Sequence, residues 1–236
     1  MRKGDRVQEL LGLRLPPIAV GFLEAPPEGV PPWRGGEVPA GCAFWLKAME
    51  GEAFYTVPSD HYNCAVGCHT HNIPLPPERA GELDDTVRFM VESKYIETAD
   101  VPAIPTLSRK PPKVVAYGPV SEATFPADVV LVAATPGQAM LLYEAAVRAG
   151  AGDALTNILG RPGCAVLPLT ANSGVASLSF GCKGNRTFTG LPENELYLSA
   201  PAAKWAAVAA ALEEIVPANA TMERHYLGRK AEVGRN

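Results

Sequence analysis

Apolar positions along the chain fall into short blocks whose spacing switches between strand and helix periods. Val7, Leu10, Leu11 and Leu13 recur at helical spacing and predict a short amphipathic helix over Arg6 to Leu13, stopped by Pro16-Pro17. Ile18 to Leu23 is a compact apolar run with turn residues on both sides, the signature of a buried strand. A proline-rich loop covers Ala25 to Pro39. Cys42 to Glu50 then predicts a helix ended by Gly51, and Ala53 to Val57 a strand, since Phe54-Tyr55-Thr56-Val57 favours a pleated surface.

Further along, Pro77 to Ser93 reads as a helix with Leu83, Val87, Phe89 and Met90 on its inner side and Glu78 and Glu82 suiting its N-terminus. The β-branched runs Lys113 to Val120 and Asp128 to Ala134 predict two strands of one sheet. Thr135-Pro136 supplies an N-cap followed by proline at the first helical position, and this helix runs to Gly150 with Ala139, Leu142, Tyr143, Ala146 and Val147 as its buried stripe. Three more strands are expected at Cys164 to Leu169, Val175 to Phe180 and Glu195 to Leu198. The last helix, Pro201 to Val216, should bury Trp205, Val208, Ala209, Leu212 and Ile215 and stop at Pro217, leaving 218–236 as a polar, frayed tail.

These elements predict an α/β or α+β fold, a mixed or mostly antiparallel sheet packed by helices, with residues 1–217 as one globular domain. Strand, helix, strand and cysteine-glycine loop occur twice in the same order. The first pass ends on Cys64-Ala65-Val66-Gly67-Cys68, and the second on Gly181-Cys182-Lys183-Gly184-Asn185-Arg186. Two fused similar halves, about 1–110 and 111–217, are therefore an expectation to test.

Composition narrows the function. With 236 residues, 47% apolar and 19% charged, the chain has the make-up of a soluble globular protein, and its 22 Gly and 23 Pro make it loop-rich without reaching the level of disorder. The formal charge of −4 excludes the basic footprint of a nucleic-acid binder. Arg14 and Pro16-Pro17 interrupt the first apolar stretch, so no signal-peptide core is read there. No run approaches the roughly 18 apolar residues of a membrane span. A cytoplasmic setting follows as the expectation, and there thiols stay reduced, so five cysteines call for something other than a disulfide scaffold.

The densest chemistry lies in His61-Tyr62-Asn63-Cys64-Ala65-Val66-Gly67-Cys68-His69-Thr70-His71, which holds three of the four histidines and two of the five cysteines. Thiolates and imidazoles are the ligands of zinc and, with thiolates leading, of iron-sulfur centres. One turn can direct a Cys-x₃-Cys pair at a single ion. The expected metal ligands are Cys64, Cys68 and Cys182, with Cys42, Cys164 and His69, provided the fold brings them together.

A second feature is the glycine-rich, cationic turn at Gly181 to Arg186. Its backbone N–H groups, with Lys183, Gly184, Asn185 and Arg186, suit a small anionic ligand or cofactor, and Arg161 in Gly160-Arg161-Pro162-Gly163-Cys164 could add a second cation. The same surroundings would favour a thiolate, so Cys64 or Cys182 could instead be a nucleophile with His61, His69 or His71 as its base, without metal. A third reading is a small-ligand-binding module in which the cysteines only pack. Asp84-Asp85 and Glu213-Glu214 read as solvated helix surface. No Gly-x-Ser-x-Gly elbow is present.

The order of Leu11-Gly12-Leu13, Pro17-Ile18-Ala19-Val20, Cys42, Cys64 with Gly67, Arg161-Pro162-Gly163-Cys164, Gly181 to Arg186, Gly190-Leu191 and Glu195 resembles the uncharacterised, cysteine-rich ArCR family of domains of unknown function. The resemblance spans about residues 7 to 216. It implies one family domain over that span and a role for the cysteine and glycine-arginine loops, and it carries no activity with it.

Overall fold

Asp5 starts the first helix. Its carboxylate accepts from the N–H groups of Val7 and Gln8, and Gly12, at φ 61°, closes α1 (Arg6–Leu11) in the left-handed conformation that suits glycine. The computed structural model describes residues 5–152, 158–159 and 162–233. In chain order there follow β1 (Ile18–Leu23), α2 (Ala43–Met49), β2 (Phe54–Thr56), α3 (Ala65–Thr70), α4 (Glu82–Glu92), β3 (Val114–Pro119), β4 (Val129–Ala134) and α5 (Pro136–Arg148). The chain continues through β5 (Ile158–Leu159), α6 (Val166–Ser173), β6 (Ser177–Ser179), α7 (Lys183–Thr189), β7 (Leu196–Pro201) and α8 (Trp205–Val233). Thr135 caps α5 with Gln138 in a reciprocal box, as its sequence leads one to expect.

The strands form one sheet in the order β2-β3-β1-β4-β7-β6-β5. Neighbours are antiparallel except for short β5, which adds parallel to β6. The fold is mixed α+β. β1 lies between β3 and β4, so the two β-branched runs belong to one sheet without touching each other. All side chains of β3, β4 and β7 are buried, because helices or loops cover both faces.

On one face Val130, Val132, Leu198 and Ala200 pack against Leu142 and Ala145 of α5 and Trp205, Val208 and Leu212 of α8. On the other, Ile18, Val20, Tyr117, Leu131 and Tyr197 pack against Phe44 and Trp45 of α2 and Val166 and Leu167 of α6. Each fully buried aliphatic side chain contributes about 1.5–3 kcal/mol relative to exposure.

The strand order is symmetric about the β1/β4 pair, with β3 and β2 on one side and β7 and β6 on the other. The helices do not follow it. α2 and α5, equated in the two passes of the sequence echo, cover opposite faces of the sheet. The symmetry is one of strand order, and a duplicated domain is not established by it.

Four other expectations change. Cys164 to Leu169 is not a strand: Gly163–Ala165 is a 3₁₀ turn and α6 follows. A short apolar run is ambiguous by period, and Pro168 decides it, since the first turn of a helix needs no N–H there while a central strand does. In α5 the buried stripe is Ala139, Leu142, Ala145 and Ala146, and Val147 is exposed. α8 does not stop at Pro217; 29 residues form one helix through it, and the described part of the tail, to Val233, is helical. Proline removes one hydrogen bond, and good helix formers such as Ala218, Ala220, Met222 and Glu223 carry the helix on. Finally, α4 buries none of its side chains, and Phe89 is 70% exposed.

Candidate functional site

Four cysteines arrive at one place from four segments. Cys42 precedes α2, Cys64 caps α3, Cys164 sits in the 3₁₀ turn before α6, and Cys182 caps α7. All four line a single cavity of about 760 Å³ on the α2/α6 side of the sheet. Its opposite wall is α4, whose Leu83, Val87 and Met90 face it.

The local structure explains the convergence. Cys64 Sγ accepts from the N–H of Gly67 at 3.3 Å, and Cys182 Sγ accepts from that of Asn185 at 3.5 Å, so both thiols cap a helix by the same i+3 bond. The turn holding Cys164 meets the turn holding Cys182 at Gly163, where an added Cβ would fall 2.9 Å from the Cys182 nitrogen. Thr70 Oγ1 lies 3.4 Å from Cys164 Sγ.

Electrostatics show the same grouping. Burial, with smaller contributions from the neighbouring Cys64 and Cys182 and against a lowering hydrogen bond from Asn185, pushes the Cys42 thiol up to about 12. Burial raises Cys64 as well, partly offset by the Gly67 N–H, with Cys182 adding to the rise. Cys164 is raised well above the ordinary thiol range by burial, then by Cys64. As free thiols, Cys42, Cys64 and Cys164 are therefore held protonated near neutral pH.

Cys68 stands apart. Its Sγ donates to the carbonyl of His61 at 3.2 Å, it does not line the cavity, and burial pushes it up to about 12. His69 does line the cavity, with Nε2 3.3 Å from Thr106 Oγ1. His61 and His71 are core residues. Thr56 Oγ1 donates to the Val115 carbonyl and so accepts from His61 Nε2, 2.7 Å away. His71 has neither ring nitrogen hydrogen-bonded and stacks edge-on against Phe22 at 5.3 Å. Among the described residues no imidazole is hydrogen-bonded to a cavity thiol, and no group of three or more Cys, His, Asp or Glu side chains is placed to hold a single metal ion.

The glycine-rich turn is put to other uses than the sequence suggests. Arg186 points away from the cavity and donates to the carbonyls of Pro192 and Glu195 at 2.8 and 2.9 Å, tying α7 to β7. The Lys183 N–H donates to Tyr95 Oη at 2.8 Å. Lys183 and Gly184 do line the cavity, with Glu82 and Asp84 on the wall as well. Arg161 lies outside the described residues. Asn185 is 2% exposed, and its side chain is engaged with Cys42 and Tyr197, easing the rise that burial imposes on both.

Sequence reasoning missed the apolar wall of α4, because half-buried Leu83, Val87 and Met90 read as a core stripe. It also missed Thr70 beside Cys164. That Cys64 and Cys182 are equivalent caps has no signal in the sequence, since cysteine is not a residue that marks a helix start.

Fold and site together define an α+β protein in which one helical face brings four thiols to a cavity roofed by an amphipathic helix. The chain belongs to the uncharacterised ArCR family, a domain of unknown function (DUF169), whose model matches residues 6–211. No curated protein and no solved structure matches it. No helix among the described residues is long and apolar enough to cross a membrane.

Proposed function

We propose that Cys42, Cys64, Cys164 and Cys182 bind an iron-sulfur centre. The observation that carries this reading is the convergence of four thiols, from four segments distant in sequence, on one cavity wall. Simple packing would scatter small buried cysteines through the core, as it does Cys68. Each of the four lies at the N-terminal end of a helical segment.

A lone zinc ion asks for sulfurs about 2.3 Å from a common point, and the described side chains offer no such point. A polynuclear centre takes its thiolates on separate irons and so spreads them wider. The raised Cys42, Cys64 and Cys164 favour a protonated resting state, so loading a metal would release protons. When bound, such a centre supplies one-electron chemistry. Lys183 shares the wall with Asp84 and with Glu82, itself paired with Arg79, so the wall offers an anion one lysine and no cationic cluster.

The test is iron and sulfide analysis, with a visible spectrum, on untagged protein purified without oxygen. Stoichiometric iron and sulfide are expected, retained in Cys68→Ala and lost in Cys182→Ala. Metal-free wild-type protein that stays colourless after anaerobic reconstitution, or a Cys182→Ala variant with unchanged iron, would overturn the assignment.

A further inference from the structure

α8 is longer than the body it packs on. Its buried residues Trp205, Val208, Leu212 and Ile215 follow one another at steps of three, four and three, the period of a coiled-coil seam. The same alternation carried outward reaches Asn219, Met222, Tyr226 and Arg229, so a single face of the helix runs from the core into solvent. Every residue from 221 to 231 is exposed, Met222 at 45% and Tyr226 at 63%. This outer half lies beyond residues 6–211, the span of the family domain. A helical stretch of its length is marginal in water unless one face is packed.

The charges beside the seam choose what packs there. Glu223 and Lys230 lie on the same side of it, two turns apart with Leu227 between them, and neither is ion-paired among the described residues. When two helices pair in antiparallel fashion, each flank of the seam meets the same flank of the other copy, and flanking charges set the partner and its direction. Two copies of α8 laid this way place Glu223 against Lys230 twice. The same register sets Tyr226 of one copy against the aliphatic stem of Arg229 of the other, with Met222 at each end of the seam. A surface that is its own complement is what a two-fold contact requires. The centre of this contact lies about ten residues past Pro217, which leaves the bodies about 30 Å apart along the helix axis.

We infer that two copies of this chain pair weakly through the outer half of α8, antiparallel, with Glu223 of each copy against Lys230 of the other. The inference is independent of the thiol cavity and of any metal there. So small a contact belongs to the weak class, below about 1,200 Å², and a dissociation constant of about 100 µM is expected. At a few micromolar the chain is monomeric, and its unfolding midpoint does not register the pairing.

Sedimentation equilibrium of the full chain in low salt, from about 10 µM to about 1 mM, should show monomer at the dilute end and dimer at the concentrated end. Glu223→Lys or Lys230→Glu alone turns both attractions into repulsions and should weaken dimerisation about 10-fold. Both positions are exposed, so the fold tolerates either change. An equimolar mixture of the two variants restores both opposite-charge pairs and should associate as tightly as the wild type. A chain ending at Ala220 should stay monomeric throughout. A wild-type chain still monomeric at about 1 mM, a truncated chain that dimerises, single variants that pair as tightly as the wild type, or a mixture that pairs no more tightly than either variant alone would each overturn the inference.

Discussion

Gly163 lies so close to Cys182 that the Cβ it lacks would stand 2.9 Å from the Cys182 nitrogen and 3.1 Å from the Cα of Gly181. Both neighbours are backbone and cannot swing aside, so the contact fixes the distance between the turn carrying Cys164 and the turn carrying Cys182. Gly163→Ala should therefore cost about 2 kcal/mol through overpacking and lower the retained iron. Urea unfolding reads the first and metal analysis the second. A midpoint shift equivalent to less than about 0.5 kcal/mol, the size of an ordinary surface substitution, would mean that the two turns are free to part.

The buried pair His61 and His71 makes stability fall in acid. Burial lowers His61 to about 3, with His71 adding to the effect, and lowers His71 to about 4. In the unfolded chain both titrate near 6.5, so below that pH the unfolded state binds more protons than the folded one. Stability is then full above about pH 6.5. It declines as pH falls toward 4, by up to about 1.4 kcal/mol per pH unit for each histidine. His71→Phe removes one of these groups and keeps the edge contact with Phe22, so it should flatten the decline between pH 6.5 and 4. Identical pH profiles for the variant and the wild type, followed by urea midpoint, would contradict this.

Thiol reactivity in metal-free protein should be graded. Cys68 is buried, donates to the His61 carbonyl and is pushed up to about 12, so it is the protonated and least accessible thiol at pH 8. Timed iodoacetamide labelling with peptide mass mapping should find Cys68 modified after Cys64, which is only half-buried. The reverse order would show that the α3 segment opens more readily than its packing implies.

The outer part of α8 carries no fold energy. Residues 221–231 are all exposed, whereas Val208, Leu212 and Ile215 in its first half are fully or almost fully buried. A chain ending at Ala220 should unfold at the same urea midpoint, within about 0.5 kcal/mol. Leu212→Ala should cost about 2–5 kcal/mol. Equal losses from both changes would mean that the distal helix packs on the body after all.

Local signals account for much of the fold. Ile18–Leu23, the Thr135 cap with Pro136, and the Trp205-Val208-Leu212-Ile215 stripe were legible because each rests on periodicity or capping within a few residues. The failures have equally local causes. Cys164 to Leu169 is too short to show a period, and Pro217 is a weaker stop than the helix formers beyond it are a continuation. The site was half legible: Cys42, Cys64, Cys164 and Cys182 were all named, but Cys68, at the same spacing from Cys64 that would suit a shared ligand, is turned into the core. Arg186 could not be told from a ligand-binding cation, because the carbonyls that claim it belong to Pro192 and Glu195 across a turn.

By itself the sequence determined most of the element types, the α+β class, the family and the inventory of thiols, since these depend on period, cap residues and composition. Tertiary structure alone decided which thiols meet, that α2 and α5 cover opposite faces, and that the apolar stripe of α4 faces a cavity rather than the core. The physical reason is that an apolar helix face specifies only that it leaves water. Which surface receives it is set by strand order and by close approaches such as that of Gly163 to Cys182, which join residues far apart in the chain.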